Sequence, residues 1–123
     1  MMSKLNHLNL PVASVTPLQE FFVRHFDFTA LTLRGDSFAV LRGDDGFILN
    51  IMRDTANHGF PENFHIGFFY DSTDEVRARH VELTNAGVET GPVEEISRAG
   101  YKSLTFYCHA PNKILVEVGC SME

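Results

Sequence analysis

A strand-and-helix pattern that occurs twice constrains the fold of this chain more than any other feature. The stretches that begin at His7 and His65 are both typical of β-strands, and a serine, Ser14 or Ser72, follows each histidine seven positions later. A helix-start signal comes next in both places. The sequence therefore predicts two copies of one structural unit, each with a histidine at the start of its first strand.

The first copy has the pattern of a strand, a helix and three antiparallel strands. Thr16 and Pro17 are typical of a helix start, and apolar residues at helical spacing predict a helix that ends near Asp27. Turns rich in glycine and aspartate then separate the three strands, which are predicted over residues 28–34, 37–42 and 47–52.

The second copy repeats this order. Ser72 and Glu75 form a capping box at the start of its helix, and Gly87 is a typical C-terminal stop. Its three strands are predicted over residues 93–97, 102–108 and 114–118. The last residues, 121–123, are expected to fray.

The predicted fold class is α+β, with two βαβββ modules that form a half-open curved sheet around a cleft. We interpret residues 1–123 as a single domain, in which module one spans about 4–52, a connector spans 53–62 and module two spans about 63–119. His58 lies in the connector and is expected to be solvated.

Composition excludes several kinds of partner. The net charge is −6 and the lysines and arginines are scattered, so the chain lacks the basic footprint of a nucleic-acid-binding protein. No apolar run approaches the roughly 20 residues of a membrane span. Cys108 and Cys120 form no CxxC pair, and no apolar signal region is seen, so we expect two reduced thiols in a cytoplasmic protein.

Glu117 is the second anomaly, because it interrupts a very apolar predicted strand. An unpaired buried carboxylate is costly, so Glu117 either faces solvent or has a cationic partner. The corresponding position of the first copy holds Asn50. Two sheets side by side would bring four polar residues towards one place: His7, Asn50, His65 and Glu117.

Two imidazoles and a carboxylate are competent ligands for a divalent ion, with positions left open for water or substrate. We therefore predict metal ligation by His7, His65 and Glu117. The alternative is that each histidine is a core residue with one hydrogen bond, which is the commoner role of a histidine in a strand.

Four short stretches carry a resemblance to a known family, and they span residues 6–12, 64–68, 85–88 and 111–118. In these motifs the chain resembles the vicinal oxygen chelate superfamily, which includes glyoxalase I, extradiol dioxygenases and bleomycin-binding proteins. The resemblance implies a glyoxalase/bleomycin-resistance-like fold and a homodimer whose modules pack across the two subunits. It also implies a divalent ion (Zn, Ni, Mn or Fe) held by His7, His65 and Glu117. Glyoxalase I usually has a fourth ligand, a glutamate, where this chain has Asn50, so the resemblance implies Asn50 as a weak fourth ligand through its carbonyl oxygen.

The resemblance further implies a metal-dependent enzyme of the glyoxalase/dioxygenase type that chelates a small oxygenated substrate. Glu117 and Tyr107 are the catalytic candidates, and Tyr101 is a second tyrosine that is a candidate by position only; a packing role is the commoner alternative for each tyrosine. Arg42 and Arg53 could hold an anionic group or lie as solvated strand ends. The rival hypothesis is a metal-free protein that binds a bleomycin-type antibiotic, since an acidic chain suits a cationic drug.

Overall fold

Both copies of the predicted unit form in the computed structural model, which describes residues 1–57 and 59–123. Two compact units divide the chain, Met1–Phe60 and Pro61–Glu123, and each has the order strand, helix and three strands. The α+β class and the βαβββ modules are therefore confirmed. His58 lies outside the described residues.

The first unit contains one helix and four strands. Its elements are β1 (His7–Val12), α1 (Val15–His25), β2 (Thr29–Arg34), β3 (Phe38–Arg42) and β4 (Ile48–Arg53). The strands lie in the order β1-β4-β3-β2, with β1 parallel to β4 and the other pairs antiparallel.

The second unit repeats this topology. Its elements are β5 (His65–Phe69), α2 (Thr73–Asn85), β6 (Glu94–Arg98), β7 (Tyr101–Ala110), a short 3₁₀ turn (Pro111–Lys113) and β8 (Ile114–Ser121). The strand order is β5-β8-β7-β6, and β5 runs parallel to β8. In both units the first strand therefore lies beside the last, although the two are far apart in sequence.

Each helix packs on one face of its own sheet. In the first unit Leu18 and Phe22 of α1 are fully buried, and the Phe22 ring meets the ring of Phe28 at a centroid distance of 5.6 Å. In the second unit Val76 and Leu83 of α2 are fully buried. Burial of such a side chain stabilises the fold by about 1.5–3 kcal/mol. The opposite face of each sheet is left open for polar residues.

The start of α1 differs from the prediction. With Thr16 as the predicted cap the helix would begin at Pro17, but it begins two residues earlier, at Val15, with Ser14 at the N-cap position. The reason is Asp36, whose Oδ1 accepts the Thr16 N–H at 2.8 Å and the Ser14 hydroxyl at 3.3 Å. A side chain from the β2–β3 turn thus takes the role that a local residue was expected to fill.

The C-terminal tail also differs from the prediction. Strand β8 continues to Ser121, and two further bonds to Lys102 hold the residues that were expected to fray. The Met122 N–H donates to the Lys102 carbonyl at 2.9 Å, and the Lys102 N–H donates to Glu123 Oε1 at 2.9 Å. Pairing with β7 therefore extends β8 beyond the apolar segment that marked it in the sequence.

Cys108 and Cys120 are free and buried, and burial raises the pKa of the Cys108 thiol to about 11, so this thiol is a packing residue. No helix among the described residues combines the length and the apolar composition needed to cross a bilayer.

Candidate active site

The open face of the second sheet carries the polar residues that the sequence singled out in this unit. Glu117 of β8 pairs with Gly67 of β5 on one side and with Tyr107 of β7 on the other. Side chains alternate along a strand, so Val116 and Val118 are buried while Glu117 points to the open face. His65 lies on the same face, two residues before Gly67 on the neighbouring strand.

His65 and Glu117 approach each other directly. His65 Nε2 lies 3.3 Å from Glu117 Oε1, and the two side chains are 43% and 24% exposed. Gly67, the register partner of Glu117 on β5, leaves open space beside that carboxylate, since a Cβ at this position would meet no atom within 4 Å. The pair is therefore both close and accessible to a small ligand.

The other ring nitrogen of His65 fixes its tautomer. His65 Nδ1 lies 3.0 Å from the Asn63 carbonyl oxygen, which can only accept a hydrogen bond. Nδ1 must therefore carry the proton, and in the neutral ring Nε2 presents a lone pair to the carboxylate. Two lone pairs that face each other at this distance need a proton or a cation between them.

Tyr107 contacts the same carboxylate oxygen. Its hydroxyl donates to Glu117 Oε1 at 2.8 Å. Burial, together with the hydrogen bond and negative charge of Glu117, raises the pKa of Tyr107, while the hydrogen bond and positive charge of Arg98 oppose this shift. Tyr107 therefore stays protonated at neutral pH, and its hydroxyl orients the carboxylate by donating a hydrogen bond to it.

The first unit carries the other two predicted ligands on the open face of its own sheet. His7 Nδ1 lies 2.8 Å from Asn6 Oδ1, so Nε2 of this histidine also presents a lone pair. Asn50 pairs with Asn9 across β4 and β1, and its Nδ2 donates to Asn9 Oδ1 at 2.7 Å. The carbonyl oxygen of Asn50 is the atom of metal-ligand type in that side chain.

The structure brings together only part of the predicted ligand set. Within the described part of the chain, no group of three or more histidine, cysteine, aspartate or glutamate side chains is gathered tightly enough to hold a metal ion. The second unit supplies the pair His65 and Glu117. Ligation by His7 and Asn50 together with that pair stays a prediction.

Beside Glu117 the open face forms a concavity of about 120 Å³. It includes Arg98, the last residue of β6, which the sequence analysis did not single out. The available signal was its position directly before the Ala99-Gly100 turn, which pairs Arg98 with Tyr101 across β6 and β7. The arginines considered from the sequence, Arg42 and Arg53, are exposed ends of strands in the first unit.

Duplicated βαβββ units, each with its first strand beside its last, give the architecture of a glyoxalase-like α+β protein. The sequence matches the Glyoxalase/Bleomycin resistance protein/Dioxygenase superfamily over residues 4–118, and the chain belongs to this superfamily. A comparison with curated proteins gives no match.

Solved structures agree with this assignment. A structure described as a possible glyoxalase from Bacillus cereus is 35% identical, with a TM-score of 0.84 over 97% of this chain and 100% of that chain. Two more distant structures share the fold. Lactoylglutathione lyase from Agrobacterium tumefaciens is 16% identical, with a TM-score of 0.72 over 97% of this chain and 94% of that one. The fosfomycin resistance protein FosX from Listeria monocytogenes is 22% identical, with a TM-score of 0.74 over 98% and 94%.

Proposed function

We propose that this protein is a metal-dependent enzyme that holds a small oxygenated substrate on a divalent ion. The observation that carries the proposal is the approach of His65 Nε2 to Glu117 Oε1 at 3.3 Å, with the other nitrogen of His65 bonded to a carbonyl. A neutral imidazole and a carboxylate are suitable ligands for Zn, Ni, Mn or Fe. When bound, such an ion would stabilise negative charge that develops on the substrate.

His7 is the third ligand in this proposal, and Asn50 is a weak fourth. Support comes from the hydrogen bonding of His7, because Asn6 engages its Nδ1 in the way that the Asn63 carbonyl engages His65. A second partner that fixes the tautomer is typical of metal-binding histidines. As the superfamily resemblance implies, the working form in this proposal is a homodimer.

Glu117 and Tyr107 have different roles in this proposal. Glu117 is a ligand, and its second oxygen, Oε2, can accept a proton or a hydrogen bond from the substrate. Tyr107 is a positioning residue, since its hydroxyl donates to Glu117 and its raised pKa keeps it protonated. Two buried free thiols are compatible with the reducing cytoplasm, where we place the enzyme.

An activity panel tests the proposal. The protein is loaded in turn with Zn, Ni, Mn or Fe and assayed with methylglyoxal plus thiols, with catechols and with fosfomycin. We expect turnover that depends on the added ion and is lost in His65→Ala, whereas His109→Ala, a change at an exposed histidine on β7, leaves it unchanged. Failure of every ion to bind or to support turnover, combined with binding of a bleomycin-type drug, would favour the metal-free binding protein instead.

A further inference from the structure

The concavity beside Glu117 has the chemistry of an oxyanion site. It lies wholly within the second unit, on the open face of β5-β8-β7-β6, and its volume is about 120 Å³. The lining residues are Phe69, Ile96, Arg98, Tyr101, Ser103, Thr105, Tyr107 and Glu117. Ligand pockets for drug-sized molecules run to roughly 300–1,000 Å³, so this space suits one small chemical group rather than a nucleotide or a peptide.

Arg98 is the single cation among these lining residues. It forms no ion pair with the carboxylates of the described chain, in contrast to Arg79, which is paired with Glu82 at 2.9 Å. The guanidinium lies close enough to Tyr107 for its positive charge to oppose the rise in the pKa of that hydroxyl. A guanidinium offers five donors in a planar fork, and one hydroxyl leaves most of them available.

Hydroxyl side chains of β7 also line the concavity. Ser103 Oγ and Thr105 Oγ1 lie 3.2 Å apart, and either of them could be the donor. These two residues and Tyr107 alternate along one strand, so their side chains share the open face with Arg98. Hydroxyl donors beside an arginine are the usual surroundings of a bound carboxylate or phosphonate.

The remaining lining residues of the concavity carry large apolar or aromatic side chains. Phe69 is 67% exposed and Tyr101 is 43% exposed, so each presents a large ring surface that a ligand could cover. Ile96 lies beside them in the lining. A ligand that carried an apolar or aromatic portion next to its anionic group would cover these surfaces.

We infer that this concavity binds the oxyanion group of the substrate, with Arg98 as its charge partner and Phe69 and Tyr101 against its apolar part. The position of this group next to a bound ion rests on the proposed function, because Glu117 is shared by the two sites. The substrate class is then a small carboxylate or phosphonate that bears a second oxygen function. Arg98 selects for the anion, whereas His65 and Glu117 act on the other end.

Nuclear magnetic resonance titration tests this inference directly. Phenylphosphonate, benzoate and neutral benzyl alcohol are added separately to the full chain, with chelator and again with zinc. The Arg98 Nε–Hε signal, assigned by its loss in Arg98→Gln, is followed. In the metal-free protein, kept with chelator, both anions should shift this signal and benzyl alcohol should not. Arg98→Gln should weaken anion binding about tenfold or more. The relative affinities of the two anions distinguish a phosphonate site from a carboxylate site.

Two variants serve as controls. Arg98→Lys keeps the charge but loses the planar fork and should recover part of the affinity. Arg77→Gln removes an exposed arginine of α2 that does not line the concavity, and it should bind the anions as the unchanged protein does. Anion binding that is equal in Arg98→Gln, or benzyl alcohol binding as tight as phenylphosphonate binding, would overturn the inference.

The two proposals can fail separately in this design. If zinc never binds but the metal-free protein still binds phenylphosphonate through Arg98, the metal-dependent function is wrong and the oxyanion site stands. If zinc binds through His65 and Glu117 but no anion moves the Arg98 signal, the oxyanion site is wrong and the metal site stands.

Discussion

Glu117 decides the chemistry of the second unit at the scale of single residues. A carboxylate in an apolar strand needs solvent or a partner, and here it has both, with a partly exposed side chain, a tyrosine donor and a histidine at 3.3 Å. That Glu117 needs solvent or a partner could be predicted from the sequence, because this residue interrupts an apolar strand. The tyrosine contact could not be deduced from the sequence, because it depends on the register that places Tyr107 opposite Glu117.

Tyr107→Phe tests the positioning role of this hydroxyl. The change removes the donor to Glu117 Oε1 but keeps the ring, so we expect the fold to persist and zinc affinity to fall about 10–100-fold. Calorimetric zinc titration measures the change. Tyr101→Phe, at a tyrosine of the same concavity, is the matched control. Equal zinc affinity in Tyr107→Phe and the unchanged protein would show that the hydroxyl does not support the site.

Asp36 controls the start of α1 from a distant turn. The backbone N–H of Thr16, together with side-chain hydrogen bonds from Thr16 and Ser14, lowers the pKa of Asp36 below its usual value near 3.8. A carboxyl group whose pKa is lower in the folded than in the unfolded state stabilises the fold above its unfolded pKa. That contribution is lost as the pH falls through the lower, folded pKa.

Asp36→Asn should therefore destabilise the chain more at about pH 7 than at about pH 2.5, because pH 2.5 lies below the ordinary pKa of about 3.9 and protonation of the unfolded chain already removes part of the contribution of the charge. Urea unfolding at the two pH values measures this difference. Asp44→Asn is the control, since Asp44 is exposed in the next turn. A stability loss that is the same at both pH values would contradict the capping role of the charge.

The two helices show, at the scale of elements, why one helix start could be predicted and the other could not. Ser72 accepts the Glu75 N–H at 3.2 Å, so both partners of the α2 cap lie within three residues of each other. The α1 cap depends on Asp36, which is twenty residues away from Thr16 in sequence. Local patterns predict local caps, whereas a cap donated by a remote turn follows only from the packed structure.

Ser72→Ala should cost about 1 kcal/mol of folding free energy, because it leaves the Glu75 N–H without its acceptor. Ser72→Thr keeps an oxygen at this position and should lose less. Denaturant unfolding of the two variants and the unchanged protein makes the comparison. If Ser72→Ala and Ser72→Thr unfolded at the same denaturant concentration, the side-chain cap would not contribute to the stability of α2.

The duplicated topology is the feature that the sequence predicted best at the scale of the whole molecule. The repeated spacing from His7 to Ser14 and from His65 to Ser72 gave two βαβββ units, and both units place their first strand beside their last. The meeting of His65 and Glu117 follows from that topology. Arg98 was missed because its importance comes from neighbours on other strands, not from any local motif.

A mixing experiment tests the proposed homodimer. If His7 of one subunit completes the site of its partner, His7→Ala and His65→Ala should each lose tight zinc binding alone. Random dimers formed from an equal mixture would then recover about a quarter of the intact sites, because one site of each mixed dimer has all of its ligands. Zinc binding after unfolding and refolding the mixture measures the recovery. No recovery in a mixture that demonstrably forms mixed dimers would contradict a shared site.

A calorimetric zinc titration of the metal-free protein, of Glu117→Gln and of the control His109→Ala tests the proposed metal site. We expect about one tight zinc per chain in the unchanged protein and in His109→Ala, with release of protons on binding. Tight binding should be lost in Glu117→Gln, because the amide keeps the shape but not the charge of the ligand. Tight zinc binding that survives in Glu117→Gln, or its absence from the unchanged protein, would contradict metal ligation by Glu117.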